Sequence, residues 1–194
     1  HYRTQGIVLR KTDRGEADEF LTIYTKDFGK LEILARAVRK ISSKLRAGTE
    51  LFYLSEIEFI QGKTHKTLTD AILIEKFKNL RSDLKKLRVA YKIAESADDL
   101  IKAPEPDPGI WRLLNEVLQK LNNYTLTANR YTLIYHYFFW NLDSLLGYQP
   151  EIKKFPRGGK TGSERPPETE LVQERGSGEF YCTVQGKEID CDIV

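Results

Sequence analysis

A change of period near residue 78 restricts this chain more than any other feature. Before it, β-branched and aromatic residues gather in five short runs, at residues 2–11, 19–25, 30–35, 52–60 and 65–74. Polar or glycine-containing segments separate them, which is the pattern of strands and turns. After it, apolar residues recur at steps of three and four, the period of helices. Strands first and helices second describe an α+β chain with the two kinds of structure segregated. Only four residues, Lys26-Asp27-Phe28-Gly29, separate the second run from the third. Four more, Gln61-Gly62-Lys63-Thr64, separate the fourth from the fifth. Both pairs therefore read as hairpins. The polar insertion at 36–48 follows the third run. Five short antiparallel strands with that insertion predict a small Greek-key barrel of the OB type, whose closure leaves few exposed edges.

The helical half begins at residues 81–101, where Leu84, Leu87, Tyr91, Ala94, Ala97 and Ile101 form a stripe. Pro104, Pro106 and Pro108 stop it, since proline cannot continue a helix. A second helix is predicted at 110–121 and a third at 127–146, with Gly147 as its C-cap. Beyond Pro150 the periodicity is lost. Residues 152–178 read as loop, and 179–184 with 188–193 as a hairpin around Gln185-Gly186-Lys187. The expected domains are 1–78, 79–150 and 151–194.

Composition narrows the class. Hydrophobic residues make up 40% and charged residues 30% of 194, as in an ordinary soluble protein. No apolar run reaches membrane-spanning length, and the first residues read directly as a strand rather than a secretory signal. A cytoplasmic protein is expected. The two cysteines, Cys182 and Cys191, are too few for a disulfide framework and read as free thiols. The chain has no methionine and ends in Ile193-Val194 with no helix stop, so a chain truncated at Val194 is expected.

Charge is unevenly spread. Net charge is +3 overall, but residues 1–80 carry 15 Lys and Arg against 11 Asp and Glu. Arg36, Arg39, Lys40, Lys44 and Arg46 fall within eleven residues that hold no acid. Such a local field draws phosphate to a nearly neutral molecule. The plainer reading is a solvated surface loop. Aromatic residues interleave the strands: Tyr2, Phe20, Tyr24, Phe28, Phe52, Tyr53 and Phe59. Exposed rings on OB barrels stack bases, but a small barrel also needs large side chains inside. Most of these rings are expected in the core, with Phe28, beside a turn glycine, the exception. His65 is placed in a hairpin turn. His136, among helical aromatics, reads as a hydrogen-bonded core or groove residue. Asp98-Asp99 read as a solvating pair. No nucleophile–base set and no phosphate-binding Gly-Lys loop can be assembled, so no catalytic site is expected.

Several stretches, taken in order, resemble the RecO family of DNA-repair mediators. They are Tyr2-Arg3-Thr4-Gln5-Gly6-Ile7-Val8-Leu9, Gly15-Glu16-Ala17-Asp18, Lys26-Asp27-Phe28-Gly29-Lys30, Ala35-Arg36-Ala37-Val38-Arg39-Lys40, Ser43-Lys44-Leu45, Leu51-Phe52, and Leu145-Leu146-Gly147-Tyr148-Gln149-Pro150. The resemblance implies an OB barrel, a helical domain and, in many members, a zinc-ribbon insertion. It implies annealing of complementary single strands. It also implies work with RecR, and often RecF, to load RecA onto DNA coated by single-strand-binding protein (SSB). Carried over by position, Arg36, Arg39, Lys40, Lys44 and Arg46 contact DNA, with Arg14 beside them. Arg130, followed by Tyr131, resembles the position that receives the acidic SSB tail.

The sequence departs from that pattern in places. Ala37 stands where a glycine is common. Phe155-Pro156-Arg157-Gly158 occupies the place of the first zinc-binding cysteine pair. Only Cys182 remains of the second, with Gln185 opposite and Cys191 too distant. Structural zinc needs four thiolate or imidazole ligands, so a degenerate insertion without zinc, and no other cofactor, is expected. Two other readings stay open: an OB-fold RNA-binding protein, and a protein-recruiting scaffold whose basic loop is incidental.

Overall fold

The computed structural model describes residues 1–102, 104–123, 128–148, 171–175, 179–184 and 187–190, with backbone alone for 128–130 and the last three segments. It divides into two compact units, His1–Tyr148 and Gln149–Val194.

The first unit opens with five strands: β1 (Tyr2–Arg14), β2 (Asp18–Thr25), β3 (Gly29–Ala35), β4 (Leu54–Gln61) and β5 (Lys66–Glu75). They close into a barrel in the order β1-β2-β3-β5-β4. The neighbours run antiparallel except β3 and β5, which meet in parallel at Ile33↔Lys66 and Leu34↔Thr67. β1 makes closure possible. Its first residues pair with β4 and its later ones with β2. A register shift between Val8 and Arg10 bends the strand around that corner. The OB-type barrel expected from the strand count is present.

Two strand boundaries differ from expectation by more than one residue. β1 runs on to Arg14, which pairs with Asp18. The polar segment between the first two runs thus shrinks to a tight turn, with Gly15 at φ +64°. β4 starts later than predicted because Phe52, at φ 64°, lies outside strand geometry. Its N–H still donates to the Val8 carbonyl at 2.9 Å.

Alternation along β1 feeds two cores. Val8 points into the barrel with Leu21, Ile23, Leu31, Ile33, Ile57, Phe59 and Leu68. Ile7 and Leu9, with Tyr24 and Phe52, join a second core shared with the helices. These are α1 (Lys78–Ser82), α2 (Leu84–Leu100), α3 (Pro108–Asn123) and α4 (Ala128–Leu145). The single helix predicted at 81–101 is in fact two. Asp83 is extended, at φ −116° and ψ 117°. Its carboxylate accepts the Lys85 N–H at 2.8 Å, so it ends α1 and caps α2. The predicted stripe is corrected with it. α2 buries Lys86, Val89, Ala90, Ile93, Ala94 and Ala97, whereas Leu84 is 82% exposed and Tyr91 half exposed. α3 matches its pattern: Leu113, Leu114, Val117, Leu118 and Leu121 are all buried. Its start is set by Asp107, whose Oδ1 accepts the N–H groups of Gly109 and Ile110 at 2.6 and 3.2 Å, with Pro108 at the first helical position. Gly147, at φ +88°, terminates α4 as expected.

Polar groups lock barrel to helices. Asp98 is not a solvating residue. Its side chain is 13% exposed and pairs with Arg10 of β1 at 2.9 Å and Lys30 of β3 at 3.2 Å. Asp99 alone of that pair faces solvent. The Tyr24 hydroxyl donates to the Asp107 carbonyl and accepts from its N–H, both at 3.3 Å. Burial pushes the Tyr24 phenol above its ordinary pKa. Gly29 is required here twice over: it sits at φ +64°, and a Cβ would meet the Glu105 carbonyl at 2.3 Å.

The second unit holds an antiparallel sheet, β6 (Leu171–Arg175), β7 (Glu179–Val184) and β8 (Lys187–Asp190), in the order β6-β7-β8. The expected hairpin is β7 with β8. Residues 171–175, read as loop, are instead a strand. Their sequence, Leu-Val-Gln-Glu-Arg, lacks alternation, and pairing with β7 supplies the order. In the backbone register Cys182 stands between Val172 and Ile189. Residues 155–158, Gln185 and Cys191 lie outside the described residues, as does most of the loop expected at 152–178.

Candidate nucleic-acid interface

The basic segment is held at both ends and bare in the middle. It leaves β3 at Ala35 and folds onto the β1–β2 turn. There the Ala37 N–H donates to Asp18 Oδ1 at 2.7 Å and the Arg39 N–H to the Ala17 carbonyl at 3.0 Å. Val38 is 2% exposed and belongs to the barrel core, a burial that stabilises the attachment by about 1.5–2 kcal/mol. Ala37 adopts φ 54°. The glycine common at this position is explained, because the turn needs left-handed backbone; the alanine keeps the turn rather than shifting it. A 3₁₀ turn, Lys44–Gly48, follows. Its Leu45 packs on the barrel core, and Gly48 approaches so closely that a Cβ would meet the Ala71 carbonyl at 2.4 Å. Inward anchors therefore alternate with outward cations.

All five cations of the segment are exposed, and so is Arg14. Among the described residues, Arg14, Arg36, Lys40, Lys44 and Arg46 have no carboxylate within ion-pairing distance. Arg39 alone is paired, to Asp13 at 3.1 Å, and it also donates to the Gly15 carbonyl at 3.4 Å. The structure thus brings Arg14 and Arg39 to one turn. Arg14 stands at the end of β1 rather than in a loop, its guanidinium 4.8 Å from the centre of the Phe20 ring.

A second basic surface lies between α2 and α4. Lys85, Arg88 and Lys92 line a groove of about 360 Å³ with Val89, Tyr131, Thr132 and Tyr135. None of the three cations has an ion-pair partner among the described residues. Tyr131 is 5% exposed, and its hydroxyl donates to Asp83 Oδ2 at 3.3 Å. The Lys85 N–H holds the Asp83 carboxyl below the usual carboxylate range. Lys92 Nζ lies 5.7 Å from the Tyr135 ring centre. Of the two residues assigned to this site from sequence, Tyr131 lines the groove. Arg130 falls in the first turn of α4, where the backbone alone is described. Sequence reading missed Lys85, Arg88 and Lys92. Their three- and four-residue spacing marks one helix face, but the stripe assigned to Leu84, Leu87 and Tyr91 drew attention elsewhere.

The expectation that most rings are core needs correction: Tyr24, Phe52 and Phe59 are buried, Tyr2 is exposed, and Phe20, Phe28 and Tyr53 are half-buried. Phe28 is no free ring: it packs edge-on against Phe59 and Tyr2, both at 5.5 Å. The loop that carries it folds back on itself, the Phe28 N–H donating to Thr25 Oγ1 at 3.1 Å. His65 does occupy the β4–β5 turn, its ring 5.2 Å from that of Phe20. Of the two places expected for His136, core or groove, the core is excluded: the residue is exposed and lines a shallow surface with Tyr135, Phe139 and Trp140.

Comparison with known proteins agrees with the fold. Residues 1–77 match the family model for the N-terminal part of recombination protein O, and residues 81–184 match that for its C-terminal part. Similar curated proteins include the DNA repair protein RecO of Dehalococcoides mccartyi, 35% identical over 153 residues, covering 79% of this chain and 59% of the relative. The DNA repair protein RecO of Acetivibrio thermocellus is 33% identical over 161 residues, covering 83% and 63%. That of Moorella thermoacetica is 38% identical over 120 residues, covering 62% and 45%. The chain spans about three fifths of the length of the first of these.

Proposed function

Because the chain belongs to the RecO family, we propose that it is a non-catalytic mediator of recombinational DNA repair whose barrel binds single-stranded DNA. One observation carries this reading: Arg36, Lys40, Lys44 and Arg46 on a loop clamped to the barrel wall, and Arg14 at the end of β1, are exposed and have no ion-pair partner among the described residues. Cations free of carboxylates release counterions from the phosphates they meet. Nothing in a flat basic wall reads base edges, so binding is nearly independent of sequence. Two strands carried on such surfaces repel each other less, and pairing accelerates.

The helical half supplies the partner surface in this reading. Lys85, Arg88 and Lys92 around Tyr131 and Tyr135 suit a peptide with several carboxylates and an aromatic tip, the chemistry of the acidic SSB tail. Arg130 opens the same helix as Tyr131. Docking there would bring the barrel to coated DNA, where RecR and RecF would join it in loading RecA. No zinc takes part, since two sulfurs, Cys182 and Cys191, fall short of the four ligands a structural site needs.

The test is annealing of complementary oligonucleotides, bare and coated with SSB. The double substitution Arg39→Ala/Lys40→Ala is expected to slow annealing of bare strands. The double substitution Arg88→Ala/Lys92→Ala is expected to slow only coated strands. Equal rates for wild type and the first variant would remove the loop from the reading. An RNA competitor displacing the DNA at lower concentration than DNA itself would favour the RNA-binding alternative.

A further inference from the structure

We infer that Arg14, Phe20 and His65 form a stacking site for one unpaired nucleobase on the outer wall of the barrel, where the basic loop meets it. The inference rests on the proposed single-strand binding and adds the base to the phosphates.

Phe20 is outward-facing. Its neighbours along β2, Glu19 and Leu21, are buried, and Leu21 fills the barrel. Phe20 pairs in register with Thr12 of β1 and Leu34 of β3, and Leu34 pairs in turn with Thr67 of β5. It therefore stands mid-wall, across three strands, without entering either core. Two side chains frame it. The Arg14 guanidinium covers the ring at 4.8 Å, and the His65 ring meets it at a steep angle, 71°, at 5.2 Å. Arg14 is exposed, without a hydrogen bond or ion pair among the described residues, so ring contact alone orients it. A guanidinium seated over an aromatic ring is a surface on which a base can stack, a common way to hold single strands.

Placement decides in favour of this half-buried ring over the more exposed Tyr2. Tyr2, stacked on Phe59 at 5.4 Å, is 46% exposed. Its surroundings are neutralised or acidic: Arg3 is paired with Glu56 at 3.1 Å and His1 with Glu58 at 2.8 Å. A phosphate beside Tyr2 would meet carboxylates. Beside Phe20 it meets Arg14, exposed Lys63 in the same turn as His65, and the loop whose Arg39 reaches the Gly15 carbonyl. Asp13 and Asp18, which flank the β1–β2 turn, are engaged with Arg39 and the Ala37 N–H. The exposed carboxylates at the turn are Glu16 and the Arg39-paired Asp13.

The experiment compares oligothymidylate with an abasic oligomer of equal length at fixed salt. Wild type is expected to prefer the thymidylate by roughly fivefold to a hundredfold, the range for stacking one base. Phe20→Leu should bring that ratio near one while leaving the salt slope intact. Phe20→Trp should keep the preference, with fluorescence quenched by thymidylate and not by the abasic strand. Equal binding of both strands by wild type, an undiminished preference in Phe20→Leu, or an unquenched Phe20→Trp would each overturn the stacking site while leaving phosphate binding standing. Failure to bind either strand would instead remove the single-strand reading itself. Should Phe20→Leu not fold, the Phe20→Trp signal decides alone.

Discussion

Arg10 and Lys30 differ little in kind from Arg36 and Lys40, and all four belong to the same small barrel. The first two face Asp98 of α2 and are spent on architecture. The other two face nothing of opposite charge among the described residues. Their different neighbours follow from topology. β1 and β3 turn one side toward the helices, where a carboxylate was available. The β3–β4 connection emerges on a wall that no described helix covers. Cation content therefore says little about function until each cation is matched to its carboxylate.

The largest effect that would sharpen this contrast is at the architectural end. Asp98→Ala leaves Lys30, whose side chain is 17% exposed, and the more exposed Arg10 without their carboxylate and is expected to cost about 2 kcal/mol, read as a lower denaturant midpoint. Arg36→Ala or Lys44→Ala should stay within about 0.5 kcal/mol of wild type. Equal losses on both sides would break the distinction. A smaller effect of opposite sign is expected at Ala37. Its φ of 54° costs about 1 kcal/mol for any residue with a Cβ, so Ala37→Gly should stabilise by roughly 0.5 kcal/mol once the greater freedom of the unfolded glycine is subtracted.

The sequence revealed the barrel more fully than the helices, for a physical reason. Strand alternation and short turns are local, and Gly29, Gln61-Gly62 and the insertion at 36–48 marked them. The two-faced burial of α2 is not local. It depends on β1 and α4 arriving on particular sides, so Leu84 and Tyr91 were read as core and Val89 and Ile93 were passed over. The same applies to Asp98, a plain helix-surface aspartate until β1 and β3 present Arg10 and Lys30. The cationic loop was legible because five basic residues without an acid is a property of sequence alone. Its anchoring by Val38 and Asp18 was not, since both act across the fold. The groove at Lys85, Arg88 and Lys92 escaped for the reason that α2 did.

Two finer effects refine the contrast. Asp13→Asn frees Arg39, the one loop cation already paired, and should add one phosphate contact. The salt slope for single-stranded DNA should steepen by about 0.7. An unchanged slope would place Arg39 outside the contact set. The smallest effect is in α3. Glu116 accepts from Lys120 at 2.7 Å and from the Tyr137 hydroxyl at 3.1 Å, and the Lys120 contact chiefly holds its carboxyl below the ordinary value. A depressed folded pKa gives stability that is present above the unfolded value of 4.5 and is lost as pH falls through the folded one. Both side chains are about two fifths exposed, so solvent screening leaves about 0.3 kcal/mol. Glu116→Gln should remove that acid dependence, visible as a flatter stability curve below pH about 5.

The central claim is tested most directly by the affinity of the wild-type chain for oligothymidylate across a salt series. Five unpaired cations predict a slope of log affinity against log salt near −3.5, falling toward about −2.8 when Lys40→Ala removes one of them. A slope near zero in the wild type, or one that Lys40→Ala, Lys44→Ala and Arg46→Ala together leave unmoved, would contradict it.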